Sequence, residues 1–268
     1  MEFGNFNGVK CAIRDDIWEA VEGKATGKQI MSDDKLSNYP SEIGDCKRKI
    51  YYRWTGAKKD GERDFPGQRV MMIGTLLHPF FGQMWSRAGF FANEECHASD
   101  SKNNVSFRPD FVGIIRTKST AKLFDMEVGE YFIIDFKTTS NRSYEYFDRG
   151  TKTPGIPKES DELQLQFYIG EIQKYLKDDK LCRYGFLQYF SRDWSKKFWN
   201  GRWKQDSQFK HDVALFQIPA DPKKYQKGVA YFKEVQKFVD AKKVPKKEGS
   251  DKDNYPCGWC DYSKLCWK

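Results

Sequence analysis

Apolar positions along the chain change period several times, and each change marks an element. Over residues 9–31, Ile13, Ile17, Trp18 and Val21 recur at three- and four-residue steps, which predicts an amphipathic helix. After a break at MSDDKLSNYP, Ser41 is placed to cap a second helix, SEIGDCKRKIYYRW, that carries Cys46. GERDFPGQ reads as a polar loop before the helical run RVMMIGTLLHPFFGQMWSRAG, where Pro79 directly after His78 disfavours a continuous helix. Segments rich in β-branched and aromatic residues then predict strands at GFFANEECHA, NVSFRPDFVGIIRT, AKLFDM and EYFIIDFKTT. The period returns to that of a helix in KESDELQLQFYIGEIQKYLK. Two more strands, LCRYGFLQYFSRD and HDVALFQIP, lead into a helix over DPKKYQKGVAYFKEVQKFVDAKK, and VPKKEGSDKDNYP reads as a solvated linker. This order predicts an α/β fold, a sheet flanked by helices.

Composition narrows the class. The chain has 268 residues, 39% of them hydrophobic and 31% charged, with a mean hydropathy of −0.79. No uninterrupted apolar run approaches the ~20 residues of a membrane-spanning helix, so a soluble protein with no membrane partner is expected. The first residues lack the charged and apolar pattern of a signal peptide, which points to a reducing, cytoplasmic setting. A formal charge of +8 favours a polyanionic partner. The seven cysteines are an odd count in a chain too large to need stapling. Metal or cluster ligation plus free buried thiols is expected in place of a disulfide framework. GKATGKQ has the wrong spacing for a phosphate-binding Walker loop and no Ser or Thr after its lysine, so no motor is expected.

The strand EYFIIDFKTT ends in Asp135, Phe136 and Lys137. Alternation puts Asp135 and Lys137 on one face and Phe136 on the other. If FRPDFVGIIRT lies beside that strand, Asp110 joins them, and two carboxylates with a lysine make an oxygen-rich site for a hard divalent cation. Those are the parts that phosphodiester hydrolysis needs. An ordinary salt bridge at a strand end is the competing account of Asp135 and Lys137. The apolar run YFII leading directly into the charged pair is what points to an active-site edge.

Farther along, Cys257, Cys260 and Cys266 give C-x2-C-x5-C, three thiolates from one compact turn. A tetrahedral site needs a fourth, for which Cys46 is the candidate; four thiolates suit zinc and iron–sulfur alike. Cys11, Cys96 and Cys182 lack such spacing and read as buried thiols. Lys47, Arg48 and Lys49 form a basic run beside Cys46 that reads either as a solvated helix face or as an approach to phosphates.

With RPD and DFK in place, the chain resembles the PD-(D/E)XK nuclease superfamily. His78 in GTLLH and the Gln164 and Tyr168 of QLQFY, four apart on one helix face, make it similar to the RecB-like exonuclease branch. The gap of 25 residues between Asp110 and Asp135 departs from that branch and implies an inserted hairpin, TKSTAKLFDMEVGE. The resemblance implies that His78, Asp110, Asp135 and the Phe136 carbonyl bind the metal, that Lys137 is catalytic, and that Gln164 and Tyr168 contact the DNA backbone or position Lys137. The histidine tilts the site toward manganese, with magnesium workable.

The cysteine layout is similar to the CRISPR-associated iron–sulfur exonucleases and their phage-borne relatives. It implies a 4Fe–4S cluster on Cys46, Cys257, Cys260 and Cys266, with a structural zinc site as the alternative. The implied fold is a restriction-endonuclease-like core, a mixed central sheet flanked by helices, with a helical iron–sulfur lobe formed by both chain ends. Its implied divisions are residues 1–67, a nuclease core over 68–245, and a cysteine clasp over 246–268. The implied activity is that of a stand-alone metal-dependent exonuclease on single-stranded DNA ends. The alternatives are a DNA-binding adaptor in a CRISPR-adaptation or recombination complex, and a zinc-clasped endonuclease.

Overall fold

Nine residues in a row, Tyr131–Thr139, form the strand on which the acidic motif sits. Phe132, Ile133, Ile134 and Phe136 along it are apolar and point to both faces, so it is stable only with both faces covered. A computed structural model describes residues 37–60, 65–94, 98–140, 155–176, 181–191, 196–199, 202–205, 213–249, 251 and 256–268. The helix expected over 9–31, Cys11 and Cys96 lie outside the described residues. In chain order, a 3-10 turn at Pro40–Glu42 is followed by α1 (Lys47–Trp54), α2 (Phe65–Arg87), β1 (Phe91–Glu94), β2 (Ala98–Asp100), β3 (Val105–Phe107) and β4 (Phe111–Ile114). Then come α3 (Lys118–Phe124), β5 (Tyr131–Thr139), α4 (Glu159–Tyr175), β6 (Tyr184–Ser191), β7 (Lys196–Trp199) and β8 (Arg202–Gln205). The last described elements are β9 (Val213–Pro219), α5 (Pro222–Asp240), a 3-10 turn at Cys257–Trp259 and α6 (Ser263–Cys266).

Among the described residues, five strands form a sheet in the order β1-β4-β5-β6-β9. Its β5 and β6 run parallel, which demands a crossover, and α4 lies in the stretch between them; the other neighbours are antiparallel. On one face, Ile133 and Leu187 pack with Leu163, Leu165, Phe167 and Ile169 of α4 and with Val229 and Phe232 of α5. On the other, Phe132, Ile134, Phe136 and Phe186 pack with Phe81 of α2. Burying side chains of this size contributes ~2 kcal/mol each. Gly113, paired with Phe132 across β4 and β5, has no side chain because the Phe132 ring lies where one would be. These elements belong to one compact unit, Ser37–Lys268. No helix among the described residues is long and apolar enough to cross a membrane.

Several expectations need correction. The helix expected over 41–54 is a 3-10 turn and a separate α1, so Ser41 lies inside the turn and Cys46 is the residue before α1. Here Tyr39 and Pro40 begin the turn, and Glu42 bonds back to the Tyr39 N–H. Part of the loop expected at 61–68 is the first turn of α2, which begins at Phe65. That helix also runs on through Pro79. A mid-helix proline costs ~3 kcal/mol, which is offset because Phe81 is buried beyond it and Trp85 donates from Nε1 to Gln188 Oε1 at 2.8 Å.

AKLFDM is helical as well as apolar. Thr117 caps α3 by accepting from the Thr120 N–H at 3.2 Å, and Asp125 ends it in the left-handed region at φ 52°. The insertion expected as a hairpin is therefore built around a short helix. The single strand expected over 104–117 is two, because the stretch around Pro109 carries no ladder; β3 pairs with β2, and β4 joins the central sheet.

The start of the parallel pair is pinned by Glu130, which is 2% exposed. It accepts from Arg183 Nε at 3.0 Å, Arg183 Nη2 at 2.7 Å, the Arg183 N–H at 3.1 Å and the Glu127 N–H at 2.9 Å. Removing one partner of a buried pair costs ~3–5 kcal/mol, and the half-exposed arginine lowers that figure. Glu130→Gln is expected to destabilise the protein by about 2 kcal/mol, a fall of about 4–8 °C in unfolding temperature by calorimetry.

Candidate active site and cysteine-lined cavity

The register that pairs Phe111 with Ile134 carries Asp110 to the level of Asp135 at the sheet's edge. Asp110 Oδ2 there accepts the Phe136 N–H at 2.8 Å, so a backbone bond holds the first carboxylate against the second. His78 comes from α2 on the opposite layer, its ring against Phe136, and Nδ1 stands 3.0 Å from Asp110 Oδ1. Burial lowers the His78 pKa, but the bond to Asp110 and the charges of Asp110 and Asp135 outweigh it, and the ring titrates above the usual histidine range.

Strand alternation turns Asp135 and Lys137 toward α4. Lys137 Nζ lies 2.8 Å from Asp135 Oδ2 and donates to Gln164 Oε1 at 2.8 Å. The Gln164 amide nitrogen donates to Asp135 Oδ1 at 3.2 Å and to the Tyr168 hydroxyl at 2.9 Å. One glutamine side chain thus fixes the lysine, the aspartate and the tyrosine. Asp135 Oδ2, although beside the ammonium, is buried without a well-aligned hydrogen bond.

Burial pushes the Asp135 carboxyl up to about 7; Lys137 opposes this and Asp110 reinforces it. Burial also works against the Lys137 charge, yet the carboxylates of Asp135, Asp161 and Asp110 prevail and hold the ammonium above the ordinary lysine value. Burial raises the Tyr168 hydroxyl well above its usual range.

All six side chains singled out in the sequence, His78, Asp110, Asp135, Lys137, Gln164 and Tyr168, therefore meet at one end of β5 and one turn of α4. As arranged, no three His, Cys, Asp or Glu side chains among the described residues enclose a metal ion. Two residues that sequence reading missed belong to the same network. Asp161 accepts from the Tyr189 hydroxyl at 2.7 Å, and its charge acts on both Lys137 and Asp135. Asp161 stands three residues before Gln164 on α4, a spacing that places it on the Gln164 face and was a usable signal. Nothing in the sequence marks Tyr189, which arrives through the parallel register with Lys137.

The four clustered cysteines come from the two ends of the described unit. Tyr51 and Tyr52 of α1 pack on Tyr262, Leu265 and the aliphatic part of Val239. The Asp60 N–H donates to Asp261 O at 2.7 Å, and the Lys264 N–H donates to Asp60 Oδ2 at 2.5 Å. Between these segments lies a cavity of about 210 Å³ lined by Cys46, Cys257, Cys260 and Cys266. All four are free thiols of intermediate exposure, and burial pushes those of Cys46 and Cys260 up. Gly249 has no side chain because the Cys257 sulfur occupies that place. Cys182, by contrast, is buried in the same hydrophobic core as Leu165 and Ile169, where burial raises its thiol to about 12.

No protein-family model matches this chain, and no curated protein matches it. Solved structures similar to it include SSO0001, at 16% identity over 93% of each chain with a TM-score of 0.46. Another is an alkaline exonuclease (LHK-Exo) from Laribacter hongkongensis, at 12% identity over 77% of this chain and 91% of that one, TM-score 0.42. The same exonuclease in complex with dAMP gives a TM-score of 0.44 at 12% identity.

Proposed function

We propose that the protein is a divalent-cation-dependent exonuclease that hydrolyses phosphodiester bonds of single-stranded DNA ends, and that its cysteine-lined cavity holds a 4Fe–4S cluster. The observation that carries the nuclease reading is the convergence of Asp110, Asp135 and Lys137 through the Phe136 N–H and the Gln164 amide, with His78 on Asp110. The donor set suits a hard cation in kind. Adjacent ligands of an octahedral ion with bonds of 2.0–2.1 Å lie ~3 Å apart, which is the spacing of His78 Nδ1 and Asp110 Oδ1. Asp135 Oδ2, buried beside the Lys137 ammonium at 2.8 Å without a well-aligned hydrogen bond, is a further oxygen donor at the site.

His78, Asp110, Asp135 and the Phe136 carbonyl are the residues that would hold the cation, which when bound supplies Lewis acidity at the phosphoryl group. Lys137 remains an ammonium at neutral pH and so acts by charge and donation. It orients the attacking water and offsets charge gathering on the phosphate, while Gln164 keeps it aimed. The water oxygen forms a bond to phosphorus as the ester P–O bond breaks; the water gives up one proton to solvent, the departing oxygen takes one up, and a phosphate monoester and a hydroxyl remain. The Tyr168 hydroxyl accepts from Gln164, which leaves its own proton to donate to the DNA backbone.

For the cavity, four thiolates suit one zinc ion and a polynuclear cluster alike. A space of about 210 Å³ lined by all four cysteines has room for a polynuclear cluster, which supports that reading. The test is to purify the protein anaerobically, measure iron and zinc, and incubate it with end-labelled single-stranded DNA, linear and circular, with and without manganese. The expected result is a brown protein that shortens linear DNA only with the cation. Degradation that persists in chelator, or no degradation at all, overturns the reading; cutting of circles replaces the exonuclease with an endonuclease.

A further inference from the structure

Two residues on the cavity wall carry donors with no acceptor. Arg48 on α1 and Trp267 after α6 both line the cavity with the four cysteines. The Arg48 Nε–H and the Trp267 Nε1–H are buried, and neither has a hydrogen-bond partner among the described residues. Leaving such a donor unpaired costs ~1–3 kcal/mol, more where the group is charged. Two in one small cavity are therefore a sign that an acceptor belongs there. Arg48 already turns toward sulfur, since its Nη1 donates to Cys266 Sγ at 3.5 Å. The Trp267 ring is held from its face by Lys247, whose Nζ lies 4.4 Å from the ring centroid. The carboxylate among the lining residues, Asp45, is taken by Lys49 at 2.7 Å. The wall thus offers two N–H groups and the charge of Arg48, with Lys247 behind the indole, and that suits an anionic, sulfur-rich group.

We infer that Arg48 and Trp267 donate hydrogen bonds to sulfur atoms of the cluster that the four cysteines hold, and that these bonds set its reduction potential. The inference rests on the cluster assignment of the preceding subsection. Donors to the sulfurs stabilise the more negative, reduced state and so raise the potential. Removing one lowers it.

The experiment uses the full chain purified anaerobically, with iron, zinc and acid-labile sulfide measured. Trp267→Phe keeps the ring under Lys247 and removes only the N–H; Arg48→Lys keeps the charge and removes Nε–H. Each variant is titrated with dithionite through mediators, and the resonance Raman bands of its oxidised cluster are compared in H2O and D2O. Both variants are expected to keep their iron. At the wild-type midpoint their oxidised-to-reduced ratio rises about tenfold, about 59 mV for one electron. The deuterium shift of the iron–thiolate bands, caused by exchange of the donated protons, shrinks in each. Iron-loaded variants with wild-type midpoints and undiminished deuterium shifts overturn the inference and leave the cluster standing. The Raman comparison needs no reduction. A wild-type protein that carries zinc and no iron removes the cluster itself, a different failure.

Discussion

Lys137→Met is expected to lower the rate of the proposed DNA hydrolysis by about 10³-fold or more while the protein stays folded. The magnitude is that of losing a single preorganised charge aimed at the transition state, here one that Gln164 and Asp135 hold in place at 2.8 Å each. The fold survives because Asp135 can answer the loss by keeping its proton. Its carboxyl already titrates at about 7 through burial, with Lys137 the main force pulling it down, so the variant moves it higher.

That shift gives the prediction a second readout. A cation must displace the protons of both Asp135 and His78, so in the wild type its affinity, measured by calorimetry, rises with pH through about 7. In Lys137→Met the rise comes later. The sign for stability runs the other way. Between the ordinary carboxylate value of 3.8 and about 7 the folded state holds a proton that the unfolded chain has released, so Asp135 makes the cation-free protein less stable as pH rises through that window. An Lys137→Met protein that cleaves within tenfold of wild type removes the lysine from the chemistry.

Cys46→Ser is expected to cost the protein its iron and about 10–20 °C of unfolding temperature. Cys46 and Cys257 are separated by about two hundred residues, and a covalent tie across a loop that long removes ~5 kcal/mol of unfolded-state entropy in the chain-closure account. In a protein of this size each kcal/mol is ~2–4 °C. Cys182→Ser, in the core and away from the cavity, serves as the control that keeps its iron. Scanning calorimetry with metal analysis on both variants checks this, and a Cys46→Ser protein with unchanged iron and melting takes Cys46 out of the ligand set.

The candidate site was legible in the sequence where short-range geometry decides it. Alternation along YFIIDFK separates Asp135 and Lys137 from Phe136, and the four-residue step joins Gln164 to Tyr168. Three of the cysteines declare themselves by spacing alone. Where tertiary partners decide, the sequence misled. AKLFDM has the apolar content of a strand, but the Thr117 side chain and the left-handed Asp125 make it a helix. The stretch across Pro109 reads as one strand, yet its halves find different partners. Pro79 was read as a break because its lost hydrogen bond is local, while the burial of Phe81 that outweighs it is not. Asp161 carried a spacing signal, but its partner Tyr189 was out of reach, being set by the docking of α4 on β6.

The origin of the cavity wall has a bearing on biogenesis. Cys46 leaves the ribosome long before Cys257, Cys260 and Cys266, and all of the central sheet is synthesised in between. The four-cysteine wall is complete only after the central sheet has been synthesised, so a group held by all four thiols is bound after that sheet has been made. Under the proposed cluster assignment, iron delivery is a maturation step that follows synthesis of the last cysteines.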